Sequence, residues 1–123
     1  MKKVTMRDMP RVQVDMVGGL MTGTQVHRQA ILQRGESNNF NFAIVSFDAG
    51  SHTKFHTHSG DQLLVITKGA GKVATDSEVL SVYEGDVVLI PAGENHWHGA
   101  PDDTSMAHMT ITIAGSQTTQ TEP

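Results

Sequence analysis

An all-β fold, either a closed barrel or a two-sheet jelly roll, is what this sequence predicts, and three observations carry the prediction. Short runs rich in β-branched residues recur along the chain with no sustained helical period. Glycine is frequent, at 12 of 123 residues, and marks many of the breaks between those runs. A chain of many short strands also leaves exposed edges unless its sheet closes or folds onto a second one.

Taken in order, the expected strands are Gln25–Gln33, Phe40–Asp48, Gln62–Thr67, Gly71–Thr75, Val79–Val82, Asp86–Ile90, Asn95–Gly99 and Met106–Ile113. Turn chemistry separates them: Arg34 to Asn39, Lys68-Gly69-Ala70-Gly71, Glu84-Gly85-Asp86 and Pro101-Asp102-Asp103. Phe40, Phe42, Ile44, Phe47 and Val65 are the candidates for core or inter-sheet packing. Residues 1–22 read as an N-terminal arm with a first strand, 23–114 as the barrel, and 115–123, rich in Ser, Thr and Gln, as a disordered tail.

Composition narrows the function. The length suits one domain with one core. A net charge of -4 with interspersed signs argues against a nucleic-acid partner. The absence of cysteine excludes disulfides, thiolate metal sites and thiol nucleophiles. Lys2-Lys3 is not followed by an apolar segment, and no apolar run approaches membrane-spanning length, so neither a signal peptide nor a membrane partner is expected. The default expectation is a soluble cytoplasmic protein.

The residues that carry chemistry are His56-Thr57-His58, Gln62 and His96. Residues two apart on a strand share a face, so His56 and His58 project together, and Gln62 joins them if the chain stays extended. His96 follows the turn Pro91-Ala92-Gly93, which would aim it inward. Neutral imidazoles suit several divalent transition metals and leave positions open for a small substrate. His98 has the parity of His96 and is its rival as ligand. His108 shares a face with Met106, Thr110 and Thr112, which suits either a pocket wall or a core. Trp97 faces away from the histidines, His52 reads as a loop residue, and His27 as a surface or interface residue. Asp61 is the nearest carboxylate, although its parity points it away from the site; Asp86 and Glu94 fit turn roles.

These positions resemble the cupin superfamily. Its first motif, G-x5-H-x-H-x3,4-E-x6-G, is matched by Gly50, His56, His58, Gln62 and Gly69, with Gln62 in place of Glu. Its second, G-x5-P-x-G-x2-H-x3-N, is matched by Gly85, Pro91, Gly93 and His96, with Ala100 in place of Asn. The stretch Pro91–Ala100 with Met106-Ala107-His108 further resembles small cupins associated with carboxymuconolactone decarboxylase and manganese-dependent cupin hydroxynitrile lyases. The resemblance implies a single-domain jelly-roll barrel (a double-stranded β-helix) and a homodimer. It implies one divalent metal, manganese first and Fe, Ni, Zn or Co as alternatives, on His56, His58, Gln62 and His96. It further implies His108 as the catalytic acid or base, and a pocket lined by Ala43 and Val45. His98, on the parity argument, is a further pocket candidate.

An amide ligand has a chemical consequence. Three imidazoles and an amide leave a divalent ion its full charge, whereas a carboxylate would cancel one unit. That unit is worth on the order of 4 kcal/mol at roughly 4 Å and an effective dielectric near 20. The reading is therefore a Lewis-acid enzyme acting on a small organic substrate, with hydroxynitrile cleavage or synthesis the most concrete reaction. Two alternatives are an oxygen-dependent cupin enzyme and a non-enzymatic binding module in which the metal holds a ligand.

Overall fold

The computed structural model describes residues 1–123, and nearly all of its regular structure is β. Two short strands, β1 (Val12–Gln13) and β2 (Met21–Thr22), precede β3 (Val26–Leu32) and β4 (Phe40–Phe47). Next come β5 (His52–Thr53), β6 (His56–His58) and the 14-residue β7 (Gln62–Thr75). The chain continues through β8 (Val79–Tyr83), β9 (Val87–Ile90), β10 (His96–Gly99), β11 (Met106–Ile113) and β12 (Thr118–Gln120). One sheet runs β1-β3-β4-β11-β7-β9, and the other joins β2, β5, β10, β7 and β8, with β6 and β12 at its margin. All the pairings are antiparallel.

The expected turn at Lys68–Gly71 is instead the middle of one continuous strand. β7 bends there, pairing through its first half with β9 and through its second half with β8 and β10. Gly69 permits the bend: its φ is +70°, and a Cβ at this position would stand 2.0 Å from the Ser105 carbonyl oxygen. β7 therefore belongs to both sheets and rolls them into a curled half-barrel.

Strand periodicity divides the apolar residues between two faces. Val45, Phe47, Leu64, Ile66 and Met106 point inward and form the core with Val26, Val73 and Val82. Of the five core candidates, only Phe47 is fully buried. Ile44, opposite Met109, and Val65, opposite Met109 and Val87, lie on the outer face, and Phe40 is exposed. These residues alternate with the inward set, so apolar character alone could not assign their face.

The tail expected to be disordered is a strand. β12 pairs with β6 in the register Thr118↔His58, Thr119↔Thr57 and Gln120↔His56. Its Ser/Thr/Gln composition suits a strand exposed to water. His52, expected in a loop, lies on β5 opposite Gly99.

Candidate metal centre

β6 delivers His56 and His58, and β10 delivers His96 directly opposite His56. The three rings offer ligand atoms that lie within 4.8 Å of one another. Gln62, the first residue of β7, is buried beside them, with its Oε1 3.0 Å from His96 Nε2. Thr110 on β11 accepts the Gln62 Nε2–H at 2.9 Å. The amide oxygen is the end that faces the histidines.

The outer ring edges are equally committed. His56 Nδ1–H donates to the Lys54 carbonyl at 2.7 Å, and His96 Nδ1–H donates to the Glu94 carbonyl at 2.9 Å. His58 Nδ1 pairs with the Thr118 hydroxyl at 2.9 Å. With Nδ1–H held by a carbonyl, His56 and His96 present their Nε2 lone pairs to the common centre, and the hydroxyl of Thr118, able to accept, lets His58 do the same. His58 Nε2 is a buried polar atom with no hydrogen-bond partner, a costly state in a dry interior. Burial lowers His56 to about 4, with further lowering by His96 and His58. His58 and His96 are also lowered, in both cases chiefly by burial. The rings are therefore neutral at pH 7, the form that binds a metal. The donor set fits one divalent transition ion on three nitrogens and one amide oxygen.

A short loop locks the two motifs together. Gly93 N–H donates to the His58 carbonyl at 2.8 Å, and Asp61 Oδ1 accepts from Ala92 N–H at 2.8 Å. Asp61 thus braces the loop before His96, and its carboxylate turns away from the ion site, as its parity suggested. Asp86 caps its turn by accepting from Tyr83 N–H. Trp97 is half-buried against His52, with ring centroids 5.3 Å apart, on the side of β10 away from His96. His27 is half-buried on β3.

His98 stands outside the three-histidine cluster and forms a second unit with His108. Their Nδ1 and Nε2 atoms are 3.0 Å apart, and both rings are buried. His108 Nδ1–H faces the Met109 carbonyl at 3.3 Å, which leaves Nε2 to accept from His98 Nδ1–H. Burial lowers His108 to about 4 and, with the charge of His108 next in order, holds His98 well below its ordinary value. A cavity of about 560 Å³ opens onto this pair and onto His56, His58 and Gln62. Ala43 and Val45 line it, as do Thr110 and Thr112, which follow His108 at the same parity on β11. Arg28 and Arg34 stand on its rim.

Thr110, Thr118 and the two arginines were not singled out by sequence. The parity of Thr110 with His108 was the available signal. Thr118 offered none, because its role depends on the docking of a tail strand.

The cupin domain profile matches residues 43–113. A curated relative, an (R)-mandelonitrile lyase from Granulicella tundricola, is 41% identical over 70 residues, covering 56% of this chain and 53% of that protein. The match thus spans about half the length of that relative. A cupin-like protein from Thermotoga maritima superposes with a TM-score of 0.80 at 26% identity, covering 89% of this chain and 86% of that one. A polyketide cyclase from Streptomyces resistomycificus superposes with a TM-score of 0.84 at 14% identity, over 100% of this chain and 87% of that one, a likeness of fold alone.

Proposed function

The chain belongs to the cupin family, and from that membership and the histidine centre we propose a metal-dependent enzyme acting on a small organic substrate. Hydroxynitrile cleavage, or the reverse addition of cyanide to a carbonyl, is the proposed reaction. The observation that carries the reading is the convergence of His56, His58 and His96 with the Gln62 amide oxygen beside them. The mandelonitrile lyase relative supports the choice of reaction.

His56, His58, His96 and Gln62 Oε1 would hold a divalent ion, manganese first and Fe, Ni, Zn or Co as alternatives. When bound, that ion supplies Lewis-acid polarisation of a hydroxyl or carbonyl oxygen. His108 accounts for the proton. In cleavage, the substrate O–H proton leaves, the C–CN bond breaks with its electron pair going to cyanide, and a carbonyl remains. A hydroxyl that displaces His98 from His108 Nε2 gives its proton to His108 directly. A hydroxyl that reaches His98 Nε2 pushes the Nδ1 proton of that ring onto His108. Either route ends on His108, which returns the proton to cyanide as HCN. Burial keeps His108 unprotonated at pH 7, the state a base requires. Ala43 and Val45 leave space above the pair for the substrate body.

A homodimer is part of the same proposal. Leu63, Leu89 and Ile111 lie side by side on the outer face of the first sheet, next to the row of Val65, Val87 and Met109. Val87 and Leu89 are 59% and 62% exposed, which makes this face a candidate for a second copy of the chain.

The test is anaerobic cleavage of mandelonitrile by metal-free and manganese-loaded protein. The proposal expects turnover that requires the metal, needs no oxygen and disappears in His56→Ala. Turnover that requires oxygen would favour an oxidative cupin, and absence of turnover on a panel of hydroxynitriles would favour a binding module.

A further inference from the structure

The cavity carries a charge signature that its metal-ligating end does not explain. Although the chain has a net charge of -4, the cavity wall contains no Asp or Glu. Its charged side chains are Arg28 and Arg34. Neither pairs with a carboxylate, since the ion pairs of the chain are Lys2–Glu36 and Arg7–Asp8.

The sheet register aims Arg28 at the reacting end. Arg28 lies opposite Val45, Val45 opposite His108, and His108 opposite Ile66. Residues directly opposite one another on antiparallel strands share a face. Arg28 and His108 therefore stand in one inward row, separated by a single strand, about 10 Å between backbones at two strand spacings. The neighbouring row places Ala30 opposite Ala43 and Ala43 opposite Thr110. Val45 lies between Arg28 and His108, and the two alanines of the row beside them leave that flank open for a ligand. Arg34 follows on the loop after β3, at the rim of the same cavity.

We propose that the cavity takes a small organic anion, its carboxylate held at the rim by Arg28 and Arg34 and its uncharged reacting end turned toward His108. The physical basis is twofold: guanidinium binds carboxylate through paired, charge-assisted hydrogen bonds, and no acidic side chain competes for it. The inference rests on the proposed reaction for the direction in which the ligand lies. It narrows the substrate class to a carbonyl compound bearing a carboxylate, or the corresponding hydroxynitrile.

The experiment compares benzoate with benzamide, equal in shape and different in charge, by calorimetric titration at pH 7.5. Metal-free protein is used first, so that neither the ion nor a protonated imidazole can attract the anion. Wild type is expected to prefer benzoate by about tenfold, as one charge-assisted contact provides, and to lose the preference as salt rises. The double variant Arg28→Gln/Arg34→Gln should bind both equally while keeping wild-type benzamide affinity and metal capacity. Arg28→Lys, which keeps the charge but not the fork, should retain part of the preference. Equal binding by wild type, or a preference that survives the double substitution, overturns the inference. Preference for benzoate without turnover of either mandelonitrile or its para-carboxylate analogue would sustain the anion site and overturn the reaction. Turnover without the preference would do the reverse.

Discussion

Acidification of the metal-free protein should unfold it in a window set by buried histidines. His56 and His108 are each lowered to about 4 from an ordinary value of 6.5, burial being the first cause in both. An unfolded chain takes up protons at these positions near pH 6.5, and the folded chain resists until about pH 4. Stability is therefore fully present above pH 6.5 and is lost as pH falls toward 4; below that both states are protonated and the loss ends. The gap between about 4 and 6.5 corresponds to about 3 kcal/mol for each histidine. Two such groups amount to a large part of the roughly 5–15 kcal/mol that holds a domain of this size. Urea midpoints measured at half-unit steps from pH 7.5 to 3.5 read this directly. His108→Asn, which cannot titrate, should show a shallower decline. Manganese should move the decline to lower pH, because the ion competes with protons for the same lone pairs. A midpoint that stays flat between pH 6.5 and 4 would refute the burial argument.

Two further outcomes follow from particular contacts. Thr118→Val removes the hydroxyl that orients His58 and should lower metal affinity by about tenfold or more, with the fold intact by circular dichroism; unchanged affinity in a chelator competition would refute the role given to β12. Leu89→Asp places a charge on the exposed apolar outer face and should convert a dimer to a monomer by light scattering without loss of metal. A dimer that survives it would assign assembly to another surface.

The parts legible in the sequence are those governed by local chemistry. Period-2 patterning located β3, β4 and β11 to within a residue or two at each end, and glycine and aspartate marked the turns around β9. The two-residue spacing of His56 and His58, and the Pro-Ala-Gly turn before His96, foretold residues that do converge. What escaped depends on contacts between distant segments. Gly69 reads as a turn until Ser105 is seen lying where its side chain would be. Phe42 and Ile44 are as apolar as Val45 and Phe47, and only the second sheet decides which set becomes core. Thr118 gains its role by pairing with a strand 60 residues earlier. Arg28 gains its place beside the cavity through three paired strands.

Gln62 carries the central claim, that a neutral amide completes the centre and keeps the ion a strong Lewis acid. Gln62→Glu keeps the size and the oxygen donor while adding a negative charge. Metal affinity by chelator competition and anaerobic mandelonitrile turnover, measured on the same preparations, separate the two effects of that charge. Metal binding should be retained or tightened while turnover falls by about tenfold or more, a barrier increase of about 1.4 kcal/mol. Undiminished turnover at full metal occupancy would contradict the account.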